Sequence, residues 1–72
     1  MHIAVFGANG PTGRHVTQQA LAKGYVVTAF TRHPEVFPIH HERLRVVRGD
    51  VYDPEAVEEV VAGQDGVLSS LG

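Results

Sequence analysis

The segment Gly7-Ala8-Asn9-Gly10-Pro11-Thr12-Gly13 stands between an apolar run, His2-Ile3-Ala4-Val5-Phe6, and a stretch with helical patterning. No other feature narrows the possible folds so far. A strand that ends in a glycine turn and opens a helix gathers several backbone N–H groups and the positive end of the helix dipole at one point, which favours a phosphate. Gly7 permits the tight turn, Gly10 lets the backbone approach a ligand, and Gly13 lets the helix lie close on the strand. The spacing Gly-x-x-Gly-x-x-Gly is related to the dinucleotide fingerprint Gly-x-Gly-x-x-Gly without matching it.

The rest of the chain alternates between two periodicities. Ile3 to Phe6 is continuously apolar and bounded by a turn, the pattern of a strand buried on both faces of a parallel sheet. Pro11 suits a first helical turn, Val16, Ala20 and Leu21 fall on one face, and Gly24 stops the helix, so it should run from about Pro11 to Lys23. Tyr25 to Phe30 is rich in β-branched and aromatic residues and reads as a second strand, ending at Thr31-Arg32. Residues 33 to 43 carry Pro34, Pro38 and the pair His40-His41, which interrupt any long helix and predict a loop with one helical turn. Leu44 to Arg48 is a third strand, with Arg45 and Arg48 flanking its apolar residues as near a sheet edge, and Gly49-Asp50 ends it. Asp53 can cap the next helix, with Pro54 first, Glu55 at the positive dipole end, Ala56, Val57, Val60 and Val61 as its buried stripe, and Gly63 just past its last turn. Gly66 to Ser70 reads as a fourth strand.

Strands alternating with helices over short connections imply an α/β fold, a parallel sheet with right-handed crossovers. The expected architecture is the amino-terminal half of a Rossmann doubly wound parallel sheet with strand order 3-2-1-4. The first helix lies on one face and the 54–62 helix on the other. At 72 residues with no cysteine, one small domain is the limit, and a chain of that size buries only roughly 60% of its unfolded surface. No helix follows the fourth strand, so the expectation is a partial domain, truncated at its carboxyl end. Its uncovered sheet surface would permit self-association.

Composition excludes several alternatives. A net charge of −2 with both signs interspersed suggests no nucleic-acid or membrane surface. The first apolar run is too short for a signal peptide or a membrane span, so a cytoplasmic protein is expected. The 5 histidines form no HxxxH pair and have no cysteine beside them, and adjacent His40 and His41 would face opposite ways on a strand, so no metal site is expected. Ser69 and Ser70 lack a local histidine and acid, and no catalytic residue is assigned.

Two positions add to the glycine turn. Arg32 falls immediately past the second strand, at the carboxyl edge of the sheet, where a dinucleotide's adenosine ribose lies in this architecture. A guanidinium there can clamp the additional phosphate of NADP, whereas a carboxylate would pair with the free ribose hydroxyls of NAD; the competing reading is a solvated loop arginine. Asp50, at the end of the third strand, can accept from the exocyclic amine of adenine while the next backbone N–H donates to the ring and Val51 offers an apolar wall. Alternatively Asp50 shapes the turn before the next helix. Arg14 opposes the dipole in the first helical turn, a conflict removed either by a nearby anion or by extension into solvent.

Val5 through Gly13, Arg32, Arg48-Gly49-Asp50-Val51, and Gly63-Gln64-Asp65-Gly66-Val67 through Leu71-Gly72 together resemble the atypical short-chain dehydrogenase/reductase family, nearest in pattern to its flavin reductase (biliverdin reductase B) and NmrA-like branches. The resemblance covers nearly the whole chain. It implies a domain that binds NADP(H) through Gly7, Asn9, Gly10, Pro11, Thr12, Gly13, Arg32, Asp50, Val51, Leu71 and Gly72. Thr12 and its neighbouring amides would lie on the pyrophosphate, and Leu71-Gly72 on the route to the nicotinamide. Family members often place a second basic residue a few positions after the first arginine; here that stretch is His33-Pro34-Glu35-Val36, so NADP preference rests on Arg32 with His33 beside it. The implied activity is hydride transfer from NADPH to a flavin-like or other conjugated small-molecule acceptor, with the substrate side beyond Gly72. The alternative is a non-catalytic, redox-sensing NADP(H)-binding module of the NmrA kind.

Overall fold

The structure, a computed structural model, describes residues 1–50 and 52–69. In chain order it contains β1 (His2–Phe6), α1 (Pro11–Ala22), β2 (Val26–Thr31), a 3-10 turn (Pro34–Val36), β3 (Leu44–Arg48), α2 (Pro54–Val61) and β4 (Gly66–Ser69). All strand pairs are parallel and the order is β3-β2-β1-β4, as the alternation of periodicities predicts. The register pairs Phe6 with Phe30, Phe6 with Ser69, and Thr31 with Arg48. The carboxyl ends of β1, β2 and β3 therefore come level, and the segments that leave them start as neighbours.

The continuous apolar run in β1 has a direct explanation: Ile3 to Phe6 are all buried, with alternate residues serving opposite faces. On one face Ile3 and Val5 pack with Val27, Ala29, Phe37 and the α1 residues Ala20 and Leu21. On the other, Ala4, Phe6 and Phe30 pack with Val60, Val47, Ala56 and Val57. The Phe6 and Phe30 rings meet edge to face at 5.1 Å and 74°, a geometry that adds about 0.5–1.5 kcal/mol beyond the area it buries.

The helix on the first face buries Gly13, Thr17, Ala20 and Leu21, a stripe at helical spacing in which two members are not apolar. Val16 is only half-buried. Thr17 tolerates full burial because its hydroxyl donates to the Gly13 carbonyl at 2.7 Å. The helix ends in a Schellman motif: Gly24, at φ 85, donates to Leu21, and Tyr25 donates to Ala20. Tyr25 is consumed by this cap, so β2 starts at Val26, one residue later than β-propensity suggests.

Across the sheet, Asp53 caps α2 as expected, accepting from the Glu55 and Ala56 N–H groups at 3.2 and 3.4 Å. Val60 is buried and Ala56 and Val57 are half-buried, but Val61 is 39% exposed, so the expected stripe is one residue too wide. Val61 stands about 100° further round than Val60, on the last turn and off the sheet. The edge strand β4 is open, with Val67 44% and Leu68 45% exposed. Ser70, expected to close that strand, lies outside the described residues.

Gly49 has a packing role that sequence patterning does not reveal. A Cβ on it would stand 2.3 and 2.4 Å from the Cζ and Cε2 atoms of the Phe30 ring. Since Phe30 is almost fully buried against Phe6, its ring has little room to withdraw. Gly49→Ala is accordingly expected to destabilise the fold by about 1–3 kcal/mol, measured as a lower midpoint in urea; an unchanged midpoint would show that the ring yields freely.

Candidate functional site

The loop after β1 is built from backbone alone. Gly7 adopts φ 70, a conformation open to glycine at little cost, and reverses the chain. The Gly10 N–H then donates to the Gly7 carbonyl at 3.2 Å, and the Arg14 N–H closes the first helical bond to the Gly10 carbonyl at 2.9 Å. Gly10 is the N-cap, with φ −74 and ψ 165, and contributes no side-chain cap; the first turn of α1 carries no acidic residue. The Thr12 and Gly13 N–H groups are among those a helix leaves without an internal partner. They can receive the oxygens of an anion, aided by the dipole.

Gly10 is not required by the conformation of the loop, because φ −74 is open to any residue. Nor is it required by packing, since an added Cβ would come no nearer than 3.6 Å to the Gly7 carbonyl oxygen, an ordinary contact. What a side chain at residue 10 would fill is the approach to the uncapped helix end. This is the fit expected of a pyrophosphate cradle.

Arg14 finds a partner within the loop. It is exposed, yet it does not simply extend into solvent: its Nε donates to the Asn9 carbonyl at 2.9 Å. The bond ties the helix's first turn to the middle of the glycine loop. It also offsets the unfavourable placement of a cation at the positive helix end, about 0.3–1 kcal/mol.

At the level where β1 ends, β2 and β3 end too. Arg32 follows β2 directly, is exposed, and has no hydrogen bond or ion pair among the described residues. The Thr31 hydroxyl beneath it accepts from the His33 N–H at 3.2 Å, turning the chain sharply. A second arginine stands on the neighbouring strand: Arg48, paired in register with Thr31, reaches back to the Glu35 carboxylate at 3.0 Å. The strand order makes the Thr31 and Arg48 neighbourhood derivable, but the ion pair depends on the path of the 33–43 loop, which carries no periodic signal. Glu35 is held below the usual carboxylate range mainly by its own backbone N–H, then by the charges of Arg48 and His33, with desolvation opposing.

Asp50 does what its structural reading requires. Its Oδ1 accepts from the Tyr52 N–H at 2.9 Å and its carbonyl accepts from the Asp53 N–H at 2.9 Å, so it shapes the turn while Asp53 performs the capping. Oδ2 takes no part in that turn. The expected contributions of Val51, Leu71 and Gly72 lie outside the described residues. Among the described residues no three metal-ligating side chains gather, and His41 Nδ1 accepts from the Arg43 N–H at 3.0 Å. A shallow recess of about 120 Å³ between Thr28, Arg45, Val47, Glu59 and Gln64 lies toward the opposite, amino-terminal edge of the sheet and shares no residue with this site. Among the described residues no helix is long and apolar enough to cross a membrane.

Residues 7–72, which begin at the first glycine of the loop, match a protein family described as NAD(P)H-binding. The chain belongs to this NAD(P)H-binding family. A 2-alkyl-3-oxoalkanoate reductase from Stenotrophomonas maltophilia is 36% identical over 94% of the chain. Among solved structures, a protein from Bacteroides thetaiotaomicron proposed to be an epimerase is 39% identical with a TM-score of 0.91 over 99% of the chain. A short-chain dehydrogenase/reductase from Veillonella parvula, solved in complex with NADP, is 26% identical with a TM-score of 0.85 over 94% of the chain. A protein from Streptococcus pneumoniae proposed to be an NADH-flavin reductase is 28% identical with a TM-score of 0.80 over 100% of the chain. The chain spans 20% of the length of the curated relative and 33%, 34% and 31% of those three structures.

In this NAD(P)H-binding domain neither the conformation of the loop nor its packing demands a glycine at residue 10. Gly10→Ala is expected to leave the melting temperature within about 2 °C of the wild type and to weaken dinucleotide binding about tenfold, the cost of roughly one displaced hydrogen bond. Calorimetric titration beside a thermal melt checks both; undiminished binding would remove Gly10 from the site.

Proposed function

We propose that this chain is the NADP(H)-holding part of an oxidoreductase that passes a hydride from NADPH to a flavin-like or other conjugated acceptor. The observation that carries the reading is the pairing, on one edge of the sheet, of a helix start with no side-chain cap and an unengaged guanidinium at Arg32. The Thr12 and Gly13 N–H groups would hold the pyrophosphate, with Gly7, Asn9, Gly10 and Pro11 shaping the approach. Arg32 would meet the 2′-phosphate of the adenosine ribose. Asp50 would accept from the adenine amine through the oxygen its turn does not use, with Val51 as the apolar wall, and Leu71-Gly72 would line the path to the nicotinamide.

Bound there, the cofactor supplies the hydride, and these residues supply orientation and electrostatics. A reductase among the relatives, an NADP complex among the structural neighbours and a neighbour proposed as a flavin reductase support this choice of chemistry. The acceptor and its proton donor are assigned to the part of such proteins that these residues do not span.

A charge-assisted contact from Arg32 to the 2′-phosphate is worth about 1.5–3 kcal/mol. Titration of the intact protein is therefore expected to give NADPH roughly ten- to a hundredfold tighter binding than NADH, with the difference lost in Arg32→Gln. No heat with either dinucleotide overturns the reading, and tighter NADH binding removes the role given to Arg32. NADPH binding without oxidation by any flavin or conjugated carbonyl tested is the result that the regulatory alternative requires.

A further inference from the structure

Beside Arg32 stands a second arginine whose charge is already taken. The ladder between β2 and β3 stays closed to its end, where the Gly49 N–H donates to the Thr31 carbonyl at 3.0 Å. Arg48, level with Thr31, thus starts from an adjacent strand about 4.8 Å from the end of β2 and one residue, about 3.3 Å, below the level of Arg32. The His33 bond to Thr31 turns the chain so that the 3-10 turn Pro34–Val36 passes beside the end of β3. Glu35, on that turn, spans two basic groups: Oε2 accepts from Arg48 Nη2 at 3.0 Å, and Oε1 lies 3.6 Å from His33 Nδ1. An exposed glutamate is ionised near neutral pH, and its own backbone N–H and then Arg48 and His33 lower its pKa further.

These contacts give the edge an uneven charge distribution. Arg32 is unengaged, while the charge of Arg48 is cancelled by its partner. The Arg48 and Glu35 side chains are 69% and 54% exposed, so the pair is a surface ion pair that opens at little cost and has little structural value. Its place at the carboxyl edge, on the strand next to the one that Arg32 follows, bears on any anion that arrives there.

We propose that Glu35 is a specificity-determining residue for the phosphorylated dinucleotide: by engaging Arg48 it withholds a second cation from the 2′-phosphate and leaves the discrimination between NADPH and NADH to Arg32. This rests on the reading of the Arg32 edge as the adenosine-ribose end. A 2′-phosphate bound there meets one free guanidinium and one carboxylate, which repels it. NADH, with an uncharged 2′-hydroxyl, is not repelled, and Glu35, whose two oxygens already face His33 and Arg48, gains little by accepting from that hydroxyl. The device therefore acts on the ratio of the two affinities, which a residue that merely holds the turn in place would not alter.

Titration of the intact protein and its variants with NADPH and NADH tests this. Glu35→Gln, which frees Arg48 and removes the repulsion, is expected to tighten NADPH about three- to tenfold while NADH stays within about twofold. Arg48→Gln, which leaves the carboxylate unbalanced, is expected to weaken NADPH by a similar factor, and the double variant to return to the wild-type ratio. The differences should shrink in about 0.5 M salt, where the Debye length falls below the separation of the charges. If Arg32→Gln abolishes the preference but Glu35→Gln shifts both dinucleotides alike or neither, this inference is overturned and the ribose placement stands. If neither variant changes the ratio, or the wild type binds neither dinucleotide, the placement of the ribose end falls with it.

Discussion

The level ending of β1, β2 and β3 is the constraint from which the rest of the structure follows. Parallel strands in the register Phe6 to Phe30 and Thr31 to Arg48 deliver the glycine loop, Arg32 and Gly49-Asp50 to one edge. That register is held by a β1 with no solvent-facing side, because a one-residue slip would exchange the residues of two different cores. The Phe6 and Phe30 pair fixes it on the α2 face, and Gly49 is kept free of a side chain so that the Phe30 ring can reach its place. A packing requirement in the core thus sets where the chain turns toward the ligand edge.

On that edge the chain relies on backbone more than on side chains. The helix start is uncapped, the loop closes on its own carbonyls, and Arg14 folds back to engage the Asn9 carbonyl rather than reaching outward. Such an arrangement suits a phosphate, because preformed N–H groups lose little entropy on binding and recognise a charge without reading the groups attached to it. At the ends of β2 and β3, by contrast, the edge carries charge, with Arg32 unengaged and Glu35 facing His33 and Arg48.

The element order, strand order and both helix starts were legible in the sequence because they rest on local chemistry. Pro11 and Pro54 mark first turns, Asp53 is a cap, and an unbroken apolar strand demands cover on two sides. The pattern failed where tertiary geometry outweighs it. Hydrophobic periodicity could not see Thr17 as core, since it hides its hydroxyl in a bond to its own helix, whereas the close approach at Gly13 was readable from the glycine spacing. It placed Val61 in the core because a stripe read from apolar identity alone is too wide, and Val61 lies about 100° round the helix from Val60. The Arg48 and Glu35 pair was invisible because it joins a strand to a loop whose path no periodicity fixes. The placement of Arg32 and the glycine loop on one edge was legible because it depends only on following the ends of strands.

The central claim is that the uncapped start of α1 holds the pyrophosphate and the end of β2 the adenosine ribose. The most direct measurement is the amide spectrum of the intact ¹⁵N-labelled protein during titration with NADPH. The account predicts that the Gly10, Thr12 and Gly13 amides shift together with those of Arg32 and His33, and that NADH moves the first group but displaces the second much less. A saturable titration in which residues 10–13 stay fixed while another surface shifts would contradict it.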